Sequence, residues 1–385
     1  MYNSLRYLIF TVFTRVSQAV HVFLAVLKNQ VTAYPPPVRK LEDRFSSYTG
    51  SAHAMMFCNA TSAIEAALFS LGANSTSLVA TSGFVIPSSY CSTASLSSKI
   101  VFIDISEQTL NFDYAILFQL NPRPSILIVV HFYGNPCDMK SIMDWANQNN
   151  VLVIEDCSHA HGAKFNGKIV GTFGHIGIFS LQGAKAVSAG EGALAITNCP
   201  EIALKMAAYG HQESFKKFPV LKLIDHKSIP PFGFGKKMRA HPIGAALALV
   251  DLKNLTYKNR IFEKWMIALE ELSTVIDSFS VPTVLPGAIR GGYCQGVPII
   301  FRDEATAERF ISNAKLVKVN CFRRSYAEPI EYFSMKCNDD NIYRIKNELP
   351  QTQLAFDRVV FVPFYQFIHP LRWINLIGLL KKLPR

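Results

Sequence analysis

Residues 151–197 read VLVIEDCSHAHGAKFNGKIVGTFGHIGIFSLQGAKAVSAGEGALAIT. The first four residues form an apolar run typical of a strand buried in a parallel sheet. Two carboxylates, Glu155 and Asp156, follow at the C-terminal end of this run. Ligands of open α/β sheets bind outside the carboxyl ends of the strands. The pattern therefore predicts that an acid lies at the mouth of such a sheet.

A lysine later in the same stretch can reach the same mouth. Lys185 lies among small neutral residues, after Phe179-Ser180 and before Gly190-Glu191-Gly192. An amine and a carboxylate in one crevice suit pyridoxal phosphate, which needs a Schiff-base lysine and an acid that holds its pyridinium proton. We expect Lys185 and Asp156 to play these parts. The alternatives are a surface lysine beside a glycine loop and an acid that caps a helix.

Several segments of the same stretch resemble the DegT/DnrJ/EryC1/StrS aminotransferases. The matching residues are Glu155–Gly162, Gly171–Gly174, Phe179-Ser180, Lys185 and Gly190–Gly192. The resemblance runs from about Tyr34 to the C-terminus and is loose over the last hundred residues. It implies an α/β, aspartate-aminotransferase-like fold with a large, mostly parallel sheet and a smaller α+β domain.

The resemblance also implies an activity. Members of this family use pyridoxal phosphate to aminate nucleotide-linked keto-sugars or keto-cyclitols, as steps of amino-sugar and polysaccharide biosynthesis, with an amino-acid donor such as glutamate. They build each site from two chains, so the resemblance implies a homodimer. Three rivals remain. In the family's sugar dehydratases a histidine replaces the lysine found here at position 185, and a non-catalytic regulatory or membrane-associated scaffold would keep the same fold. An acyl-transferring or desulfurising pyridoxal enzyme would share Lys185 and Asp156.

Further cofactor contacts follow from the resemblance. His159 replaces the family's glutamine near the phenolic oxygen of the cofactor, to which a histidine can also donate. Asn59-Ala60-Thr61 resembles the phosphate-binding turn, with Ala60 in place of glycine, and Ser180 matches a second phosphate serine. Thr61 can alternatively be an N-terminal helix cap.

Other positions depart from the family pattern. The aromatic residue that stacks on the cofactor ring is replaced by Ile86 in a gap-free match, and Phe84 lies two residues earlier, so either side chain can cover the ring. Lys237 lies where the family reaches the phosphate of the partner subunit, and its alternative is a solvated basic loop. Arg323 and Arg324 fall in a segment that loosely resembles the substrate loop.

The composition excludes several classes of protein. The chain has 385 residues, of which 49% are hydrophobic and 17% charged, so it is a globular protein and not a disordered one. Its eight cysteines show no CxxC pair and no metal-ligand spacing, which predicts no metal site and a reducing, cytoplasmic location. The net charge of +11 is dispersed, without a nucleic-acid module, and favours an anionic cofactor, a sugar nucleotide or an acidic membrane surface.

The N-terminal segment allows three interpretations. Residues 5–27 are very apolar but contain Arg6, Arg15 and His21, so no uncharged run reaches the length of a membrane span. The segment is then a helix packed on the protein or on a partner subunit, an interfacial membrane helix, or a span or signal sequence. We expect an apolar extension at 1–33, a cofactor-binding large domain at 34–255 and a small domain at 256–385.

Apolar runs and helical spacing alternate along the large domain. This alternation predicts a doubly wound sheet. The Asn166-Gly167 dipeptide predicts a tight hairpin. The predicted strands are 55–58, 78–81, 100–105, 126–130, 151–154, a short one ending at 180, and 193–197, and the predicted helices are 38–45, 60–71 and 242–272.

Overall fold

The structure, a computed structural model, describes residues 2–31, 36–212, 216, 218, 229–292, 296–323, 349–363 and 370–383. Its helices are α1 (Tyr2–Leu27), α2 (Pro36–Thr49), α3 (Ala60–Ser70), α4 (Ser92–Ser95), α5 (Met139–Gln148), α6 (Pro200–Gly210), α7 (Pro242–Ser273), α8 (Glu304–Leu316), α9 (Pro350–Arg358) and α10 (Pro370–Leu380). Three short 3-10 helices span Pro87–Ser89, Tyr114–Gln119 and Phe132–Gly134.

The strands fall into two main sheets and a small third one. They are β1 (His53–Phe57), β2 (Leu78–Ser82), β3 (Lys99–Ile103), β4 (Ile126–Val130), β5 (Leu152–Asp156), β6 (Lys164–Phe165), β7 (Lys168–Ile169), β8 (Ile176–Ser180), β9 (Ala193–Thr197), β10 (Phe279–Ser280), β11 (Ala288–Ile289), β12 (Gly296–Phe301), β13 (Phe322–Arg323) and β14 (Val359–Pro363). The predicted strands of the large domain are all present, with ends shifted by a few residues.

The large sheet has seven strands in the order β1-β9-β8-β5-β4-β2-β3. Its strands β3, β2, β4, β5 and β8 run parallel, and β9 lies between β8 and β1 and pairs antiparallel with both. Every residue of β2, β4, β8 and β9 is buried, which explains why their sequences are mostly apolar, with polar residues only near their C-terminal ends. The predicted α/β class with a mostly parallel sheet is confirmed.

The parallel register brings the predicted site residues Asp156 and Ser180 to one edge of the sheet. Asp156 is the last residue of β5 and pairs with Ile178 of β8, which ends two residues later at Ser180. On the other side Asp156 pairs with Val130, the last residue of β4. The carboxyl ends of three adjacent strands therefore meet at the same place.

The predicted hairpin is also present. Lys164–Phe165 and Lys168–Ile169 pair antiparallel around Asn166 and Gly167. These two residues have φ angles of 47° and 79°, as a type I′ turn requires, and both residue types tolerate positive φ.

The C-terminal part forms a four-stranded sheet in the order β10-β12-β14-β13. Helix α7 leads into it, and the predicted domain boundary between residues 255 and 256 falls inside this helix. The buried Asp104, just beyond β3, ties the two parts together. Its carboxylate accepts hydrogen bonds from the backbone N–H groups of Gln351 and Thr352, at 3.0 and 2.7 Å.

Helix α1 lies along α7. Phe10 contacts the ring of Tyr257 at 4.3 Å between centroids. Asn254 Nδ2 donates to Thr14 Oγ1 at 3.4 Å. The N-terminal segment is thus a helix that packs on the protein along one side.

Candidate active site

A cleft opens at the carboxyl edge of the large sheet. It encloses about 390 Å³ of empty space, part of it open to solvent. Its lining residues are Ala60, Ile86, Ser88, Ser89, Val130, Phe132, Asp156, Ser158, His159, Ser180 and Lys185. The structure therefore brings together six of the predicted site residues: Ala60, Ile86, Asp156, His159, Ser180 and Lys185.

Asp156 provides the acid at the closed end of the cleft and is 3% exposed. Its Oδ2 accepts a hydrogen bond of 2.6 Å from Ser89 Oγ, and its Oδ1 accepts one of 3.0 Å from the backbone N–H of Ser158. Because two donors from different segments fix the carboxylate, its orientation is set before any ligand arrives.

Glu155, the adjacent carboxylate, points to the opposite side of the strand and has a structural role. Its Oε1 accepts hydrogen bonds from the N–H groups of Phe173 and Gly174, at 2.7 and 2.6 Å, and its Oε2 accepts one of 2.7 Å from Gly171. Gly171 has φ 90°, and a Cβ there would lie 2.6 Å from Phe179. This crowding explains the glycine at position 171.

Lys185 lies in the loop between β8 and β9 and is 6% exposed. The loop is closed on itself by backbone hydrogen bonds from Leu181 N to Gly192 O, at 2.8 Å, and from Ala189 N to Leu181 O, at 2.7 Å. Gly190 adopts φ 79°, in the left-handed region that glycine tolerates best. The Gly190-Glu191-Gly192 segment therefore allows the backbone conformation that closes the loop carrying Lys185.

A buried ion pair on α7 supports this loop from below. Lys258 Nζ lies 2.6 Å from Asp251 Oδ1 and donates to the carbonyl of Ala186 at 2.8 Å. Asp251 Oδ2 accepts from the N–H of Ser188 at 3.1 Å. Burial lowers the pKa of Lys258, while Asp251 counteracts that shift. The pair therefore fixes the backbone immediately after Lys185.

The N-terminus of α3 forms one wall of the cleft. Asn59, and not Thr61, caps this helix, because Asn59 Oδ1 accepts from the N–H of Ser62 at 2.8 Å. The alternative role of Thr61 as the cap is therefore wrong, and Thr61 is not among the lining residues. Ala60 begins the helix and does not have positive φ, so the alanine causes no strain in place of glycine. Ser180 faces the same space and is 7% exposed.

His159 lines the cleft beside Tyr133. Its Nδ1 accepts a hydrogen bond of 3.4 Å from the N–H of Tyr133, and the two rings are 4.7 Å apart. A neutral imidazole whose Nδ1 accepts carries its proton on Nε2. In that tautomer His159 is a donor through Nε2, as predicted for a contact with the cofactor.

Ile86 and Phe84 have different surroundings. Ile86 lines the cleft, whereas Phe84 is 1% exposed and packs between Phe132 and Phe356, with ring centroids 5.0 Å from each. Since Phe84 is enclosed by other aromatic rings, only Ile86 of the two is placed to cover a ligand in the cleft.

The remaining predicted residues lie away from the cleft. Lys237 is exposed and sits in a segment bridged to His211. Arg323 pairs with Glu304 at 3.0 Å and with Glu308, and it donates to the carbonyl of Asp357 at 2.7 Å. These contacts occupy its guanidinium, so the structure gives no support to Arg323 as a substrate ligand. Arg324 lies outside the described residues.

The cleft contains residues that the sequence pattern did not single out. Ser88, Ser89, Ser158, Val130 and Phe132 all line it. Ser158 lies two residues after Asp156 in the same stretch of sequence, so the local pattern could have identified it. Ser89 comes from a segment 67 residues away from Asp156, and nothing in the sequence indicates that these two side chains meet.

Among the described residues, His131, Glu155 and Cys157 place three ligand atoms within 4.8 Å of one another. His131 and Glu155 already have hydrogen-bond partners: His131 Nε2 lies 3.1 Å from Glu155 Oε2, and His131 Nδ1 accepts from the N–H of Cys137 at 3.1 Å. Glu155 also accepts from three backbone N–H groups. These contacts favour a structural role for the cluster.

Known proteins resemble this chain in sequence and in fold. A model of the DegT/DnrJ/EryC1/StrS aminotransferase family matches residues 15–373. The chain is 33% identical over 162 residues to GDP-perosamine synthase of Escherichia coli O157:H7, covering 42% of this chain and 44% of the relative. It is 34% identical over 169 residues to L-glutamine:2-deoxy-scyllo-inosose aminotransferase of Streptomyces kanamyceticus, covering 44% and 40%. The matched part thus spans less than half the length of each relative. An aminotransferase of Psychrobacter cryohalolentis shares the fold with a TM-score of 0.82 at 23% identity, covering 94% of this chain and 95% of that one.

Proposed function

This chain belongs to the DegT/DnrJ/EryC1/StrS aminotransferase family, and on that premise we propose that it is a pyridoxal phosphate-dependent aminotransferase. The observation that carries the proposal is the meeting of Lys185 and Asp156 in one cleft. Both side chains are almost fully buried, at 6% and 3% exposure. The carboxylate of Asp156 is fixed by Ser89 and Ser158, and the loop of Lys185 is anchored by the Lys258–Asp251 pair.

The residues of the cleft fit pyridoxal phosphate. Asp156 suits the pyridinium nitrogen, and Ile86 offers an apolar surface to the ring. The start of α3 supplies backbone N–H groups that suit a phosphate, and Ser180 adds a hydroxyl. Ser158 Oγ is buried in the cleft wall and has no hydrogen-bond partner among the described residues. An unsatisfied buried hydroxyl is costly unless a ligand or water pairs with it, which favours a polar ligand at this position.

Each residue has a defined task in this proposal. Bound pyridoxal phosphate supplies an electron sink for the carbanion formed at the donor's α-carbon. Asp156 would hold the proton on the ring nitrogen, and His159 would donate to the phenolic oxygen. Lys185 Nζ would hold the cofactor through its amine and would move a proton as a general base and acid. Because Lys185 and Asp156 are both buried, water is excluded from them, which strengthens these contacts.

The acceptor that we propose is a keto group on a nucleotide-linked sugar or on a cyclitol. GDP-perosamine synthase and the 2-deoxy-scyllo-inosose aminotransferase, the two relatives described above, represent these two classes. The donor is glutamate or glutamine. We further propose a homodimer in which the exposed Lys237 reaches the phosphate site of the partner subunit, where a lysine supplies a point charge.

The first test is an absorbance spectrum of the purified protein with pyridoxal phosphate, before and after L-glutamate or L-glutamine. We expect the visible band of lysine-bound cofactor, and we expect either donor to remove it. Lys185→Arg keeps the positive charge but should not give the band, because a guanidinium does not form the imine. A colourless wild-type protein would refute the proposal and favour the scaffold alternative.

Product mass then identifies the reaction class. Incubation with keto-sugar nucleotides or keto-cyclitols should give a product in which an amino group replaces the carbonyl oxygen. Loss of water from the acceptor without gain of nitrogen would instead identify a dehydratase. Because Lys185 is present where the family's dehydratases have histidine, we expect the amine.

A further inference from the structure

The outward side of α1 is apolar over most of its length. Its large apolar side chains are 42% to 71% exposed: Ile9, Val12, Phe13, Val16, Val20, Phe23, Leu24, Val26 and Leu27. These residues, called the apolar stripe below, recur mainly every three or four positions and therefore share one helix face. Only 22% of the Ile9–Leu27 window is buried. A contiguous exposed patch of this kind marks an interaction site.

Three uncharged polar side chains of α1 point inward instead. Thr11, Thr14 and Gln18 are 5%, 7% and 4% exposed on the side that packs against α7. Thr14 accepts from Asn254, and Gln18 accepts from Arg15 at 2.9 Å. A helix on a water-exposed surface has the opposite arrangement, with apolar residues inward. The orientation of α1 therefore indicates that its outer side faces an apolar phase.

The borders of the stripe are positively charged. Helix α1 has no acidic residue, and the exposed Arg15 and His21, with Lys28 just past the end of the helix, lie at the two edges of the stripe. A second row of exposed cations continues on α7, at helical spacing around Tyr257, the residue that contacts Phe10 of α1. This row consists of Lys253, Arg260 and Lys264.

The acids nearest to this row on α7 have other partners. Glu263 and Glu270 lie 3.8 and 2.5 Å from the guanidinium of Arg290, and the buried Asp251 pairs with Lys258. The surface around the stripe therefore keeps its positive charge.

We propose that the apolar stripe lies in the interface of an anionic lipid bilayer. Helices that bind in this way combine an apolar face with flanking cations, because the apolar side chains enter the headgroup–acyl boundary while the cations meet lipid phosphates. The long side chains of Arg15 and Lys28 can reach the headgroups from the edges of the stripe. The enzyme would then work at a membrane surface. This proposal is independent of the proposed chemistry.

Two other occupants fit the observations less well. A second copy of α1 would bring the cationic edges of two helices together without any carboxylate on either helix to neutralise them. A membrane-spanning orientation is allowed by length and hydropathy, since Ile9–Leu27 could cross a bilayer on both counts. It would, however, strip Thr11, Thr14 and Gln18 from α7 and place Arg15 in the hydrocarbon core, which is costly.

The test is flotation of the full-length protein with lipid vesicles. We expect binding to vesicles that contain about 30% phosphatidylserine and much weaker binding to pure phosphatidylcholine. Binding to the anionic vesicles should fall in about 1 M NaCl, where the screening length is about 3 Å.

Variants connect this binding to the stripe. The double substitution Phe13→Glu and Val20→Glu should weaken vesicle binding at least about tenfold, because two charges replace apolar side chains at the lipid boundary. Both positions are exposed, at 71% and 48%, so the fold should tolerate the change. Leu316→Glu is the matched control, since Leu316 is an equally apolar residue on α8 that is 82% exposed. It should bind vesicles like the wild type.

Three outcomes would overturn the proposal. One is a wild-type protein that does not float with anionic vesicles. Another is a molar mass by light scattering that drops when the stripe is substituted, which would assign the stripe to a second copy. The third is vesicle-bound protein that resists high salt and alkaline carbonate and needs detergent for release, which would assign α1 as a membrane span. None of these readouts depends on pyridoxal phosphate, so the proposed function stands or falls separately.

Discussion

Ser89 Oγ donates a hydrogen bond of 2.6 Å to Oδ2 of Asp156, although the two residues are 67 positions apart. Both are 3% exposed. Together with the N–H of Ser158 on Oδ1, this contact fixes the plane of the carboxylate. A carboxylate that must meet a ring nitrogen in one geometry gains from being held in place before the cofactor binds.

Removal of the Ser89 hydroxyl should therefore loosen the site without disrupting the fold. We expect Ser89→Ala to keep the visible cofactor band but to weaken pyridoxal phosphate binding about threefold to tenfold, the effect of one hydrogen bond of about 1 kcal/mol. Titration with the cofactor measures this change. Ser70→Ala is the control, because Ser70 is a buried serine that donates to Ala67 O on α3. Equal affinities in all three proteins would show that Ser89 does not orient Asp156.

Glu155 and Asp156 should respond differently when the carboxylate of each is replaced by an amide. Glu155→Gln places an NH₂ group against backbone N–H donors and should cost about 3 kcal/mol of unfolding free energy. Asp156→Asn should leave stability nearly unchanged but lower kcat at least about 100-fold, since an amide cannot hold the pyridinium proton. Urea denaturation and steady-state kinetics separate the two effects. The assignment fails if Asp156→Asn is the less stable of the two and retains activity.

The Lys258–Asp251 pair should be important for both stability and the lysine loop. Breaking a buried ion pair by removing one partner costs about 3–5 kcal/mol, so we expect Lys258→Met to lose that much unfolding free energy. The double variant Lys258→Met, Asp251→Leu should recover part of it, yet still bind the cofactor more slowly because residues 186–188 lose their anchors. Lys140→Met is the control. It removes an exposed pair with Asp144 and should leave the unfolding free energy nearly unchanged.

Two buried histidines should make the protein acid-sensitive. Burial, with the charge of Arg239, lowers the pKa of His211 to about 3, and burial, with Lys185 and Lys258, lowers the pKa of His161 to about 3. Below pH 6.5, the usual value, the unfolded chain takes up protons that the folded chain does not. Stability is then lost as the pH falls toward 3, by up to about 1.4 kcal/mol per pH unit for each group.

A substitution at His211 can isolate the contribution of this residue to the pH dependence of the unfolding free energy. This residue packs edge-on against Phe57 and Phe218, at 5.0 and 4.9 Å, so His211→Phe suits its surroundings. We expect His211→Phe to flatten the pH dependence of the unfolding free energy between about pH 6.5 and 5. An unchanged slope in His211→Phe would assign the acid sensitivity to other groups.

Arg323 should prove dispensable for substrate binding. Its ion pairs with Glu304 and Glu308 are half exposed on the acid side, so Arg323→Gln should cost at most about 1 kcal/mol of stability. The KM for the keto acceptor should stay within about twofold, since the side chain is not in the cleft. A tenfold rise in KM with unchanged kcat would instead restore Arg323 as a substrate contact.

The sequence was most informative where chemistry and local structure coincide. The strand that ends in Glu155 and Asp156, the hairpin at Asn166-Gly167 and the glycine-framed loop of Lys185 are local patterns. Each depends on backbone preferences or on burial along one strand, which neighbouring residues determine. The order of these patterns along the chain sufficed for the fold class and the family. It also sufficed to place Lys185 and Asp156 in one cleft.

Tertiary structure decided the features that depend on distant residues. Ser89 meets Asp156, and Lys258 and Asp251 anchor the loop of Lys185, because separate elements pack together. Ile86 rather than Phe84 faces the cleft, because Phe132 and Phe356 enclose Phe84.

The N-terminal helix also has features set by its local sequence and features set by tertiary packing. Its sequence determined that residues 5–27 are apolar and helical, but not which side faces the protein. The packing on α7 decided that, since Thr14 and Gln18 turn inward while Phe13 and Val20 stay exposed. Sequence sets the local conformation and the chemical groups that are available. The orientation of those groups depends on contacts between residues far apart in the chain, which local preferences do not encode.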